Sequence, residues 1–185
     1  MKRTCEAYQK AAMRTSPEGH DRVLNGCLGL IGESGEVADV VKKWLFQSGE
    51  NAELPAGKMA EELGDVLWYC AELCTGLDIS LGDVWAEAAH LSWGRITLKD
   101  MPRQAARLAA DCVRVYDMAL YAAETPETII LQLAFVLRRA DTILRDICHS
   151  SLTACMDGNI AKLMARYPDG FDPERSLHRE ESRNG

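Results

Sequence analysis

An all-α fold is what this 185-residue sequence predicts, and three observations predict it. Period-2 alternation and β-branched runs are nearly absent, so strand signals fail. Ala, Leu, Glu and Arg recur at helical spacing along most of the chain. Proline-containing breakers and capping residues divide that pattern into separate helices.

The spacing places a first helix over about Thr4–Arg14, stopped by Ser16-Pro17-Glu18-Gly19. A long helix follows over about Asp21–Phe46. Beyond the loop QSGENAELPAG comes a helix over about Lys58–Leu77, then a short one capped by Ser80. Past Lys99-Asp100-Met101-Pro102 a helix is expected over about Arg103–Ala123. Thr125 as N-cap and Pro126 in the first turn start another, reaching about Cys148. The last is expected over about Leu152–Arg166, followed by a polar, loosely held tail from Pro168 to Gly185.

Hydrophobic residues at 47% and charged residues at 26% exclude disorder over most of the length. A chain of this size buries enough surface to fold without disulfides or structural metal. Lys and Arg number 21 against 28 Asp and Glu, a net charge of −7, which argues against a nucleic-acid binder. An acidic protein can still take a phosphate substrate if metal ions mediate. The seven cysteines show neither CxxC pairing nor zinc-like spacing, and Cys70 and Cys74 read as core filling. With no apolar stretch approaching 18 residues and no signal-like start, a cytoplasmic protein without membrane partners is expected.

A faint internal repeat is present. Glu62-Leu-Gly-Asp-Val-Leu-Trp-Tyr-Cys-Ala-Glu-Leu73 aligns, 70 residues on, with Gln132-Leu-Ala-Phe-Val-Leu-Arg-Arg-Ala-Asp-Thr-Ile143. Leu63, Val66, Leu67 and Leu73 find apolar counterparts in Leu133, Val136, Leu137 and Ile143, and each helix precedes a short one. Any two amphipathic helices share part of this match; the recurring order of elements favours duplication.

Chemistry concentrates in Glu33-Ser-Gly-Glu36 and Glu62-Leu-Gly-Asp65. Acids three residues apart on a helix lie about 60° apart around the axis, one turn along it. Antiparallel packing of the two helices brings four carboxylates toward one point. Two carboxylates about 5 Å apart repel by about 3 kcal/mol at an effective dielectric near 20. A hard divalent cation relieves this, and all-carboxylate ligation suits Mg²⁺ or Mn²⁺. Glu33 also emerges from an apolar stripe of Leu30, Val37, Val40 and Trp44, where an acid needs a partner. Leu24, Cys27, Leu28, Ile31 and Leu45 give this helix a second apolar side, which predicts self-association as a homodimer. Gly35 and Gly64, each just before an acid, are expected at a close approach of the two helices.

The run Leu28-Gly-Leu-Ile-Gly-Glu-Ser-Gly-Glu-Val-Ala-Asp-Val-Val-Lys-Lys43, with Lys58-Met-Ala-Glu-Glu-Leu-Gly-Asp-Val-Leu-Trp-Tyr69, resembles the MazG-like all-α NTP pyrophosphohydrolases, which include dimeric dUTPases and dCTP pyrophosphatases. Tyr8-Gln9 and Asn159-Ile-Ala-Lys-Leu-Met-Ala-Arg-Tyr-Pro-Asp-Gly-Phe171 also look like the family's ends. The sequence departs from the single-copy pattern by an extra segment of about 70 residues before that closing motif. Gln132, Phe135 and Arg139 stand in it where Glu62, Asp65 and Tyr69 stand in the first copy. The expected organisation is a MazG-like repeat over residues 1–100 carrying the acids, a degenerate second repeat over 101–167 lacking the metal motif, and a tail over 168–185.

The resemblance implies hydrolysis of a nucleoside triphosphate to monophosphate and pyrophosphate, in nucleotide-pool control or sanitation. It implies metal ligation by Glu33, Glu36, Glu62 and Asp65. Glu61 is either the residue that orients the attacking water or a solvated neighbour. Lys43, Tyr69, Asn159, Lys162 and Arg166 are the candidates for binding substrate; Trp44 and Trp68 are candidates for stacking on the base or for core. The alternative is a non-catalytic helical module with a structural metal site. A carboxylate-bridged di-iron bundle wants two ExxH motifs, and Glu87-Ala-Ala-His90 alone fits.

Overall fold

A computed structural model describes residues 1–49, 52–122 and 124–172. The expected tail lies outside them from residue 173 onward. Seven α-helices make up the described fold: α1 (Lys2–Ala12), α2 (Arg22–Phe46), α3 (Ala56–Gly76), α4 (Leu81–His90), α5 (Met101–Leu120), α6 (Pro126–Asp146) and α7 (Leu152–Arg166). Among the described residues there is no strand, and no helix is long and apolar enough to cross a membrane.

Local chemistry sets the boundaries. The Asp21 carboxylate accepts from the N–H groups of Val23 and Leu24 and starts α2. Ser80, Thr125 and Ser151 cap α4, α6 and α7 in the same way. Helix α5 begins two residues before the expected Arg103. The Asp100 carboxylate accepts from the Thr97 N–H and hydroxyl at 2.9 and 3.0 Å, closing a 3₁₀ turn over Leu98–Asp100 that feeds directly into it. Pro102 then falls in the first turn, where no intrahelical N–H is missed.

Helix α2 lies between α3 and α5, and α1 packs across α3, α4 and α7. The short helices cross over: α4 packs chiefly on α6, and α7 packs more on α3 than on α6. Helices α3 and α6 are each 21 residues long. The connector after each contains a left-handed residue, Asp78 (φ 56°) and His149 (φ 49°), types that tolerate this region better than most. One continuous core runs through both halves, with Leu63, Leu67, Leu73, Leu133, Leu137 and Ile143 all fully buried. Burying each such side chain is worth about 1.5–3 kcal/mol.

The close approach of α2 to α3 is carried by glycines other than those expected. A Cβ on Gly26 would stand 2.7 Å from Leu73 Cβ and 2.9 Å from its Cα. One on Gly29 would enter the Tyr69 ring, and one on Gly76 would meet Arg22 and Val23. As numbering rises along α2 it falls along α3, so the pair is antiparallel. Gly35 faces open space, and Gly64 faces Asn159 and Cys155 of α7 instead of α2. The apolar second side of α2 is also partly taken within the chain. Cys27 is fully buried where α2 meets α5, whereas Leu24, Leu28 and Leu45 stay 40%, 54% and 43% exposed.

Candidate metal centre

Antiparallel packing of α2 on α3 sets Glu33 against Glu62 and Asp65, with one oxygen from each carboxylate within 4.8 Å of the other two. Glu62 and Asp65 are buried, at 3% and 8% exposure, and Glu33 is half-buried. Glu36, one turn further along α2, is exposed and stands outside this cluster.

Three acids at this spacing need counter-charge, and two lysines supply it. Lys162 Nζ, from α7, lies 2.6 and 2.7 Å from the two oxygens of Asp65. Lys58 Nζ lies 2.7 Å from Glu62 Oε1 and 3.2 Å from Glu61 Oε2. Burial works against the Lys58 ammonium, but these carboxylates outweigh it and hold its pKa above the ordinary value. The buried Glu62 Oε1 thus has the Lys58 ammonium as its charge partner. Buried carboxylates gathered this closely fit the ligand set of a cation. An all-oxygen donor set fits Mg²⁺ or Mn²⁺.

A second line of support fixes Asp65. Burial pushes the Tyr8 phenol well above its ordinary value, so it stays protonated and donates to Asn159 Oδ1 at 2.9 Å. That orients the Asn159 amide to donate to Asp65 Oδ1 at 3.0 Å. Asn159, expected as a substrate ligand, is thus 4% exposed and engaged with a carboxylate.

Beside the acids lies a cavity of about 190 Å³ lined by Glu33, Asp65, Trp68, Tyr69, Arg166 and Phe171, among others. Trp68 and Tyr69 meet edge to face, 4.9 Å between centroids, and Trp68 Nε1 donates to Thr15 Oγ1 at 3.0 Å. Trp44 instead donates to the Ala52 carbonyl at 2.8 Å and pins the α2–α3 loop. Lys43 is 61% exposed and pairs with Asp39 at 2.7 Å. Glu61 is 44% exposed beside Lys58 and Lys162. Glu87 and His90 are exposed on α4. Lys58 and Tyr8 escaped the sequence reading as site residues. Lys58 sits one turn before Glu62 on the same helix, a spacing that could have drawn attention to it.

Fold and site together define an all-α protein with a carboxylate cluster suited to a divalent cation. Residues 24–90, which carry most of α2 and all of α3 and α4, match the MazG nucleotide pyrophosphohydrolase domain. The chain is similar to "Gene 37 protein" of Mycobacterium phage L5, 43% identical over 58 residues, which is 31% of this chain and 51% of that protein. The chain therefore spans about half the length of that curated relative. No solved structure matches.

Proposed function

We propose that the chain hydrolyses nucleoside or deoxynucleoside triphosphates to the monophosphate and pyrophosphate. The observation that carries this reading is the convergence of Glu33, Glu62 and Asp65 inside the matched domain. Glu33, Glu62 and Asp65 would hold Mg²⁺ or Mn²⁺ directly. Glu36 is assigned there as well, from its place one turn beyond Glu33 on α2. Held by these carboxylates, a divalent cation would supply charge to offset the phosphate oxygens during in-line attack of water at the α-phosphorus. The water oxygen bonds to that phosphorus as its bond to the bridging oxygen breaks, and pyrophosphate leaves.

In this reading Glu61, exposed at the rim, orients the water and takes its proton. Lys162 and Arg166 face the phosphates from α7, and Lys43 extends that positive edge. Asn159 acts through Asp65, which it positions. Trp68 and Tyr69 take the base in a cavity whose 190 Å³ suits a ring better than a whole nucleotide. The half over residues 1–100 supplies the acids, the half over 101–167 returns α7 to them, and 168–185 is an appendage. The exposed Leu24 and Leu28 are the face that a homodimer would bury, and the reaction fits nucleotide-pool control in the cytoplasm.

One observation favours a second reading, a non-catalytic nucleotide-binding module: Lys58 and Lys162 already neutralise Glu62 and Asp65. A Mg²⁺-dependent screen over natural and modified NTPs and dNTPs, with Glu62→Gln in parallel, separates the two. Monophosphate and pyrophosphate, lost in the variant, support hydrolysis. Diphosphate and phosphate, or no turnover with either metal, defeat it.

A further inference from the structure

A cavity of about 600 Å³ lies away from the acids, in the other half, between α5 and α6 under the segment 92–96. Its lining includes five arginines and two aspartates in a chain whose net charge is −7. Arg103 pairs with Asp100 at 3.2 Å, and Arg139 pairs with Asp111 at 2.8 Å, which uses up both acids. Arg107 and Arg114 are exposed on α5, and among the described residues neither makes an ion pair. Like charges gathered on one wall raise one another's free energy until an anion neutralises them.

The floor is built and rigid. Arg139 is 6% exposed, donates to Gln104 Oε1 at 2.7 Å, and lies 4.5 Å from the Trp93 ring centroid. Gln132, also buried, donates to the Asp111 carbonyl at 3.2 Å. Trp93 and Phe135 stack at 6.3 Å and stay partly exposed, so aromatic surface borders the cationic wall. The place of these residues is informative. Asp111 opposes Gln132 and Arg139 across α5 and α6 much as Glu33 opposes Glu62 and Asp65 across α2 and α3. Where the first half presents carboxylates, the second presents guanidinium groups.

We propose that this groove is a second nucleotide site, one that binds the phosphates of a nucleoside triphosphate through arginines, without a metal ion. Guanidinium groups meet phosphate oxygens in a bidentate way that suits such a ligand, and the volume lies in the range of small-molecule sites. This inference stands apart from the hydrolytic reading, because it needs neither the acids nor turnover.

The test is calorimetric titration of the full chain, in EDTA, with non-hydrolysable α,β-imido-dUTP and with inorganic triphosphate as the base-free probe. One EDTA-resistant site per chain is expected, tighter for the nucleotide analogue and present in Glu62→Gln. Arg107→Ala and Arg114→Ala, both on an exposed face, should each weaken it about tenfold, with unchanged circular dichroism. Three results would overturn the proposal: no binding in EDTA, binding indifferent to both arginine variants, or equal affinity for the two probes. Binding lost instead in Arg166→Ala would also overturn it, by assigning the anion to the first site.

Discussion

Lys162 on α7 spans both oxygens of Asp65 on α3, at 2.6 and 2.7 Å, across 97 positions of sequence. A cation entering the cluster must therefore compete with an ammonium already seated there. Lys162→Ala is expected to lower the Mg²⁺ concentration needed for half-maximal activity while raising KM for the nucleotide. Steady-state kinetics over a matrix of metal and substrate concentrations measures both. Movement of the two in the same direction would contradict the assigned role.

Binding of metal to the acids should also appear as stability, because the folded chain alone presents the site. At a concentration 100 times the dissociation constant, Mn²⁺ is expected to add about 2.7 kcal/mol, or roughly 5–10 °C in Tm for a chain of this size. Glu62→Gln and Asp65→Asn should abolish that shift and cut kcat by on the order of 10²-fold or more. Glu36→Gln, which removes the one assigned ligand that is exposed and outside the cluster, should reduce the shift less than either. Differential scanning fluorimetry with and without Mn²⁺ reads all three.

Glycine substitutions distinguish the real helix contact from the expected one. Gly26→Ala drives a Cβ into Leu73, including its backbone, and should cost about 1–3 kcal/mol. Gly35→Ala meets nothing within 4 Å, and better helix propensity should make it neutral or stabilising by up to about 1 kcal/mol. Urea melts of the two variants check the difference in sign.

The buried thiols give a pH dependence. Burial pushes Cys74 and Cys112 from an ordinary 9.0 up to about 12. A pKa raised in the folded state means that the unfolded chain loses these protons first. Their contribution is fully present below pH 9 and is lost as pH rises toward 12. Stability should therefore fall steeply over that window, and at pH 8 both thiols should resist a thiol-specific reagent until the chain is unfolded. Chemical denaturation at stepped alkaline pH, with parallel thiol titration, tests this.

Much of the fold is legible in local sequence. Asp21, Ser80 and Thr125 mark helix starts where the structure has them, because a cap needs just a side chain and the next turn of backbone. Helix order and the antiparallel acid motifs follow from periodicity and a short loop. Periodicity alone does not say which neighbour each face meets: it points to Gly35 and Gly64 for the close approach, which lies at Gly26, Gly29 and Gly76. Nor could it tell that α5 covers part of α2, or that Glu36 turns to solvent while Glu33 turns inward. Asn159 and Lys162 were legible as functional types, but their attachment to Asp65 depends on the return of α7 to α3, which is tertiary information.

That return also has a consequence for how the protein is made. Glu33, Glu62 and Asp65 are synthesised first, and the asparagine and lysine that hold Asp65 follow 94 and 97 positions after it. A nascent chain thus carries Asp65 for some time without the ammonium and amide that hold it, while Glu62 already has Lys58. Until α7 is released, the acid cluster is more exposed and more strongly self-repelling than in the finished protein. Docking of α7 on α3 is thus the step that gives Asp65 its partners, so the acid cluster is aligned only once a helix remote in sequence has returned to it.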